Sequence, residues 1–228
     1  MNRKEILEKL SQYKFTPGHG PDYKKMTDEQ LLEQIHYKFS ETEIKKLLKE
    51  NFEIIFDTRE QQNSHILAYF DSVKVPYKRK KIDEGDYTAI ITKRPEMGIY
   101  RDIYFPVAIE RKNSVDELAG NLSEKTDTHD DIRLIRELQR AKAKGVKIYL
   151  IIEDKDAMKH IKAGEYRSLY LPKAFLGRLS SIQDLYLHDT LFVDRKDAGF
   201  EIYRKLYYSV RNFLKELDAD ISPEVENC

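Results

Sequence analysis

The sequence predicts an α/β fold, in which helices flank a mixed sheet and a small helical appendage precedes the main domain. From residue 52 onward the apolar patterns follow the order strand, helix, hairpin, helix, buried strand, which is typical of a mixed sheet covered by helices. The strongly apolar run from Val146 to Ile152 indicates an interior strand covered on both faces.

Residues 1–50 are predicted to form the helical appendage. Ile6, Leu7 and Leu10 lie at helical spacing, and a turn-rich loop follows at 16–21. Thr27 and Gln30 resemble a capping box. Two further apolar stripes complete the appendage: Leu31, Leu32 and Ile35, then Ile44, Leu47 and Leu48 behind a Ser40 cap. We place the domain edge near Asn51, so that the main domain covers 51–218 and a polar tail covers 219–228.

The main domain is predicted to alternate strands and helices. A short β-type run at 52–56 precedes a helix at 64–70, and an extended stretch begins at 75. Strands at 86–92 and 103–111 are joined by the turn chemistry of 94–98. The pattern then predicts a helix at 130–144, a strand at 146–152, a helix at 172–187, a strand at 190–193 and a helix at 197–217.

Composition and charge limit the function classes. The 228 residues are 40% hydrophobic and 35% charged, which describes a soluble globular protein. With 40 basic and 40 acidic residues the net charge is zero, so local patches must hold any polyanion. The single cysteine, Cys228, excludes a disulfide framework and a cysteine-based zinc site. No signal peptide and no apolar stretch of about 20 residues is present, so we expect a cytoplasmic, intracellular protein without a membrane partner.

Three charged residues of the hairpin indicate chemistry. Asp86 begins one strand and Glu110 ends the next, so a return hairpin can bring them side by side. Lys112 lies two residues beyond Glu110 and therefore points to the same side of the strand. Carboxylates of this kind suit Mg²⁺, and the amine can position a water or offset charge at a phosphate. Arg111 points elsewhere, with its fork available to a phosphate or to a neighbouring carboxylate.

A Glu-x-Lys triplet is common in any charge-rich protein and is a weak signal by itself. The context strengthens it, because the apolar run 107–109 leads directly into Glu110, Arg111 and Lys112. Three charges at the end of a buried strand incur desolvation, which favours a functional role.

These residues resemble the motif of the XPF/MUS81 nucleases, also called the ERCC4 nuclease domain. The motif Gly-Asp, Glu-Arg-Lys, three residues, Asp is matched by Gly85-Asp86, Glu110-Arg111-Lys112 and Asp116. Upstream, Asp57-Thr58-Arg59-Glu60 is similar to the Asp-x-Arg-Glu segment of that family. The resemblance spans roughly 52–217 and implies a restriction-endonuclease-like core.

The resemblance also implies roles for these positions. Asp86 and Glu110 correspond to the main metal ligands and Asp57 to a further one, with Mg²⁺ as cofactor and Mn²⁺ able to substitute. Lys112 corresponds to the catalytic lysine, and Arg111 and Asp116 to the remaining catalytic motif positions. Asp116 either supports the metal or caps the following helix. Arg59 and Glu60 are expected to lie behind the ligands, although Glu60 has the option of contacting the metal.

Two basic groups are candidate DNA contacts, with a solvated surface as the equally weighted alternative. Arg133, Arg136, Arg140 and Lys144 fall on one continuous helix face, and Arg79 and Lys80 form part of a second basic patch. The long C-terminal helix carries a wider apolar arc than one packing face needs. Since relatives dimerise through this region, we expect a homodimer through the C-terminal helices.

The expected function is therefore a metal-dependent DNA endonuclease that acts on branched or flap DNA. The alternatives are a non-catalytic DNA-binding or scaffold member of the same fold, and a restriction-like nuclease that cuts duplex DNA. Neither the helicase half nor the tandem helix-hairpin-helix module of larger relatives is recognised in the sequence. A stand-alone nuclease domain of this kind suggests a bacterial or phage source.

Overall fold

The computed structural model describes residues 2–11, 22–31, 39–97, 99, 102–123 and 133–216. Its helices, in chain order, are α1 (Arg3–Ser11), α2 (Glu41–Glu50), α3 (Ser64–Ser72), α4 (Val115–Ser123), α5 (Arg133–Ala143), α6 (Ala157–Ala163), α7 (Pro172–Tyr186) and α8 (Ala198–Glu216). Its strands are β1 (Phe52–Phe56), β2 (Tyr77–Arg79), β3 (Tyr87–Ile91), β4 (Ile103–Tyr104), β5 (Val107–Lys112), β6 (Lys147–Ile152) and β7 (Leu187–Phe192).

The strands form one mixed sheet in the order β2-β1-β3-β5-β6-β7, with β4 also paired to β3. β3 and β5 run antiparallel, whereas β5, β6 and β7 run parallel to one another. β6 therefore lies between two neighbours, and all of its residues except Lys147 are buried. The predicted α/β class and the interior position of this strand are both confirmed.

Local sequence explains several of the element boundaries. Ser40 caps α2 in a capping box with Glu43, and Thr27 and Gln30 exchange the two hydrogen bonds of the capping box that the sequence predicted. α6 ends at Gly164, whose φ of 72° is the left-handed conformation that favours glycine. The predicted turn at 16–21 and the apolar residues Leu32 and Ile35 lie outside the described residues.

Two local predictions were wrong. The single strand predicted at 103–111 is interrupted after Tyr104, because Pro106 has no N–H to donate to the sheet. The pairing register on β3 changes across this break, from Ile90 with Tyr104 to Tyr87 with Ile109. The segment after β6 was predicted as a loop but contains α6, a seven-residue helix too short to show a clear apolar period.

Contacts divide the chain into two compact units. The first comprises Met1–Glu53, Ala89–Pro106 and Tyr207–Cys228, and the second comprises Ile54–Thr88 and Val107–Leu206. In the first unit, Phe52 packs edge-on against Tyr207 and Phe105 against Phe213. Glu41 of α2 pairs there with Arg211 and Lys215 of α8. The C-terminal part of α8 thus belongs with α2, although the sequence indicated a boundary near Asn51.

The second unit has a continuous apolar core between β5, β6 and the helices that cover them. Ala108, Ile148 and Leu150 contribute from the strands. The helices contribute Leu118, Leu138, Ile161, Phe175 and Leu179, among others, and all are nearly or completely buried. This core holds β5, which carries Glu110, Arg111 and Lys112 of the predicted site.

The apolar arc of α8 is largely used within the chain. Ile202, Leu206, Val210 and Leu214 recur every four residues and are fully or almost fully buried, whereas Phe200 and Tyr208 remain exposed. Homodimerisation through this helix stays a prediction. Within the described parts of the chain, no helix combines the length and the apolar character that crossing a bilayer requires.

Candidate active site

The antiparallel pairing of β3 with β5 brings Asp86 and Glu110 together. Tyr87 pairs with Ile109, so Asp86, which precedes Tyr87, lies opposite Glu110, which follows Ile109. The backbone N–H of Asp86 donates to the carbonyl of Ile109 at 2.7 Å, which continues the ladder to the site. The juxtaposition that the sequence predicted for these carboxylates is present.

Gly85 makes this approach possible. Its φ is +78°, a conformation that side chains rarely adopt. A Cβ at this position would lie 2.9 Å from both the Cβ of Ala108 and the carbonyl oxygen of Ile109. Only glycine permits the chain to turn here and still pair Asp86 with β5.

Lys112 lies on the same side of β5 as Glu110. Its Nζ is 2.8 Å from Oε1 of Glu110 and 3.9 Å from the carboxylate of Glu117, and both residues of the closer pair are buried. Burial would lower the pKa of Lys112, but the charges of Glu110, Asp86 and Glu117 outweigh it and raise that pKa. Lys112 is accordingly a cation at neutral pH.

Asp86 is oriented by the backbone of β5, because its Oδ2 accepts the N–H of Arg111 at 2.8 Å. Burial and the nearby charge of Glu110 raise the pKa of Asp86 well above its usual range. Among the described residues, no group donates to the second oxygen of either Asp86 or Glu110. Two adjacent carboxylates with an acceptor oxygen left over are thus in position to share a cation.

Arg111 points away from these carboxylates. Its Nε donates to Glu153 at 2.7 Å, while Nη1 reaches Glu60 at 3.2 Å and Nη2 donates to the carbonyl of Gln62 at 3.0 Å. Burial would lower its pKa, but the bond to Glu153 and the charges of Glu153 and Glu60 raise it. The sequence left open whether Arg111 meets a phosphate or a neighbouring carboxylate. In the structure it bonds the carboxylates of Glu153 and Glu60.

A polar pocket opens over these groups. Seven of the predicted site residues line it: Asp86, Glu110, Arg111, Lys112, Arg59, Glu60 and Arg133. Other lining residues were not predicted, and they are chiefly amides and acids: Gln61, Gln62, Asp83, Glu84, Asn113, Glu117, Asn121 and Glu137. The amides carry no local signal in the sequence: Gln61, Gln62 and Asn113 stand in polar stretches, and Asn121 stands in the amphipathic helix α4.

Comparison with known proteins identifies the family of the chain. The ERCC4 domain family matches residues 56–204, about two thirds of the chain. The chain belongs to the ERCC4 domain family. This confirms the resemblance drawn from the motif.

Among solved structures, XPF from Aeropyrum pernix is similar to this ERCC4 domain chain at 17% sequence identity and a TM-score of 0.49. The match covers 68% of this chain and 66% of that chain, just under two thirds of the latter. No curated protein matches the chain.

Asp57 of the ERCC4 domain is buried and does not line the pocket. Its Oδ1 accepts the N–H of Arg59 at 2.8 Å and Nε of Arg59 at 2.6 Å, and its Oδ2 accepts the N–H of Ile82 at 2.7 Å. Burial would raise the pKa of Asp57, but these bonds lower it. The role of Asp57 as a metal ligand stays a prediction. Its bonds hold together the loop that contains Arg59 and the loop that contains Ile82.

Asp116 also lies away from the pocket lining. It stands in the first turn of α4, where its carboxylate accepts the N–H of Arg167 at 2.7 Å and lies 3.4 Å from Nε of Arg167. The cap of α4 is Ser114, whose hydroxyl accepts the N–H of Glu117 at 3.2 Å. Of the two roles that the sequence left open for Asp116, capping of α4 is corrected, because Ser114 takes the cap and Asp116 bonds the loop that contains Arg167. Support of the metal stays a prediction.

The basic stripe on α5 borders the same pocket but is partly neutralised. Arg133 pairs with Glu137 at 3.1 Å. Arg140 and Lys144 both approach Glu84, at 3.8 Å and 2.8 Å. Arg136 is exposed, and among the described residues it has no ion-pair partner. DNA binding by this stripe stays a prediction, to which the structure adds Glu84 and Glu137 as counter-charges.

The second basic patch has internal partners too. Arg79 donates to the carbonyl of Thr58, and Lys80 donates its backbone N–H to the carbonyl of Phe56 at 3.0 Å. Both side chains are exposed at the edge strand β2 and beyond it. These bonds do not test the predicted binding of Arg79 and Lys80 to DNA, which stays a prediction.

Glu153 is the functional candidate that the sequence analysis missed. It follows β6 directly, is completely buried at its side chain, and bonds Arg111. A signal was present, because a charged residue at the end of an apolar strand incurs the same desolvation that singled out Glu110.

The donor set fits a hard divalent cation. Within the described residues, no group of three or more acids, histidines or cysteines is arranged to hold a metal ion unaided. The pair of Asp86 and Glu110 would leave the remaining positions to water and substrate oxygens. Mg²⁺ prefers this arrangement, since it retains several waters and binds one or two carboxylates.

Proposed function

We propose that this ERCC4 domain protein is a metal-dependent endonuclease that hydrolyses phosphodiester bonds in DNA, with Mg²⁺ as the cofactor and Mn²⁺ able to substitute. The observation that carries the proposal is the meeting of Asp86, Glu110 and Lys112 at the ends of β3 and β5. Two carboxylates with open oxygens and an adjacent amine at 2.8 Å line a polar pocket. Family membership supports the same reaction class.

Each residue has a distinct task in this proposal. Asp86 and Glu110 would hold the metal, and Arg111 orients Asp86 through its backbone N–H. A divalent ion bound there supplies Lewis acidity toward the phosphate and lowers the pKa of a bound water. Lys112 holds Glu110 in place and presents a positive charge beside the scissile phosphate, where negative charge develops during hydrolysis.

For the substrate, we propose branched or flap DNA. The family assignment favours this choice, and the α5 stripe with exposed Arg136 offers a path for a phosphate backbone next to the pocket. A restriction-like enzyme that cuts unbranched duplex would use the same chemistry. The two substrates are separated by a panel of flap, fork, junction, duplex and single-stranded DNA of matched sequence.

The reaction is tested with Asp86→Asn and Glu110→Gln, which preserve side-chain size and remove one charge each. We expect each variant to lose cleavage by about 10²–10³-fold or more in Mg²⁺ or Mn²⁺, because an electrostatic contributor at the reacting phosphate is lost. Asp184→Asn on the exposed face of α7 and the exposed Glu165→Gln are the matched controls. Cleavage by both site variants at the wild-type rate would refute the site, and inactivity of the wild type on the whole panel would refute the enzyme.

A further inference from the structure

Glu153 lies behind the proposed site in an unusual place for an acid. It follows the apolar strand β6, and its backbone N–H donates to the carbonyl of Lys112 at 2.9 Å, which ties it to the end of β5. Its side chain is completely buried. A buried carboxylate carries a large desolvation penalty unless cations and donors surround it.

Three cationic or ring nitrogens from three separate segments surround this carboxylate. Oε1 accepts from Nε of Arg111 at 2.7 Å and lies 2.7 Å from Nε2 of His65 on α3. Oε2 lies 3.3 Å from Nη1 of Arg195, just before α8. Glu153 therefore joins β5, α3 and the segment after β7 at one buried point.

Arg111 transmits this arrangement to the site. Its guanidinium is fixed between Glu153 and Glu60, while its backbone N–H donates to Asp86. If the charge of Glu153 were removed, Arg111 would keep only one of its two carboxylate partners. Its positive charge would then be less compensated in the pocket that Asp86 and Glu110 also line, where it would oppose a divalent cation.

We propose that Glu153 is a positioning residue for the metal pair. Glu153 holds the side chain of Arg111, and Arg111 in turn holds the end of β5. Glu153 also balances the charge of Arg111, so that Asp86 and Glu110 retain their affinity for a divalent cation. This inference rests on the proposed function in one respect, namely that Asp86 and Glu110 are the metal-binding pair. Residues that support metal ligands from behind typically contribute about 10–100-fold to metal affinity.

The test is a calorimetric titration of the full chain with Mn²⁺, without DNA, for wild type, Asp86→Asn and Glu153→Gln. We expect Asp86→Asn to abolish binding and Glu153→Gln to raise the Kd by about 10-fold or more. Thermal unfolding in the absence of metal is measured in parallel. A purely structural role would lower the Tm of Glu153→Gln and leave its Mn²⁺ Kd unchanged, and this outcome would overturn the proposal.

Two controls make the result specific. Glu165→Gln removes an exposed charge outside the pocket, and its Kd should equal that of wild type. Ile161→Val weakens the core at a fully buried position of α6, so it lowers the Tm without touching Arg111, and its Kd should also be unchanged. A rise in Kd with Ile161→Val would show that reduced stability alone weakens metal binding, which counts against Glu153 as a positioning residue.

Glu153→Asp extends the test by keeping the charge and withdrawing it from Arg111 by one methylene. We expect its Kd to lie between those of wild type and Glu153→Gln. If neither Glu153 variant folds without metal, the residue serves the fold alone and the proposal is overturned. Absence of Mn²⁺ binding by the wild type would instead refute the metal site of the proposed function, so the two failures are distinguishable.

Discussion

Single carboxylates of the ERCC4 motif differ in what their oxygens accept. Asp86 and Glu110 each give one oxygen to a donor of the chain and keep another available in the pocket. Asp57 and Asp116 use both oxygens within the chain, the first with Arg59 and Ile82 and the second with Arg167. All four side chains are carboxylates, but their partners separate the two that keep an oxygen for the pocket, Asp86 and Glu110, from the two that hold loops.

Substitution of Asp57 by Asn tests this division. The amide cannot accept on both sides as the carboxylate does, so one of the bonds from Arg59 or Ile82 is lost in a buried place. We expect the free energy of unfolding to fall by about 1–3 kcal/mol, measured in urea, while the Mn²⁺ Kd stays within about threefold of wild type. A tenfold weaker Kd with unchanged stability would identify Asp57 as a ligand. Asp184→Asn provides the matched exposed control.

Among the elements, the pairing of β3 with β5 depends on the turn at Gly85. The positive φ and the 2.9 Å approach to Ala108 and Ile109 are both demands of the backbone. They explain why a glycine stands before Asp86: the chain must come close to β5 before Asp86 can lie opposite Glu110.

Gly85→Ala should therefore damage both stability and the site. A strained φ and an overpacked contact each cost about 1–3 kcal/mol. We therefore expect the free energy of unfolding, measured in urea, to fall by at least about 2 kcal/mol. Mn²⁺ binding should fall with it, because Asp86 is displaced from β5. Gly120→Ala in α4, where a Cβ meets no atom within 4 Å, should be neutral or stabilise by up to about 1 kcal/mol. Equal stability of the two variants would contradict the steric account.

For the whole molecule, a net charge of zero means that any polyanion must be attracted by local surfaces. The α5 stripe is the local surface nearest the pocket, yet Glu84 and Glu137 already face three of its four basic side chains. On the prediction that this stripe binds DNA, phosphates would compete with internal carboxylates at those positions, whereas Arg136 has no such competitor among the described residues.

Two substitutions test this competition in a fluorescence anisotropy assay with labelled fork DNA, without metal. Arg136→Ala should weaken binding and reduce the slope of log K against log salt by about 0.9, the value for one phosphate contact. Glu84→Gln should strengthen binding, because Arg140 and Lys144 lose their shared counter-charge. Lys173→Ala, at an exposed position of α7, is the control. If Arg136→Ala and the control bind alike at every salt concentration, the stripe is a solvated helix face.

The sequence alone determined most of the strand and helix order, apart from α6 and the break between β4 and β5, and it predicted the meeting of Asp86, Glu110 and Lys112. The spacing of apolar residues along the chain predicts each helix and strand. A hairpin then sets the start of its first strand beside the end of its second. The position of Lys112 beside Glu110 needed only the two-residue repeat of a strand. These features follow from residues close in sequence or joined by a single turn.

Only the tertiary structure decided which partners the charged side chains take. Arg111 meets Glu153 across 42 positions of sequence, and Lys144 meets Glu84 across 60. Asp57, Asp116 and Glu84 likewise acquired roles that their local sequence does not specify. Hydrophobic patterning states which face of an element is buried, but the partner of a polar group depends on which distant element packs against it, and that is set by the assembled core.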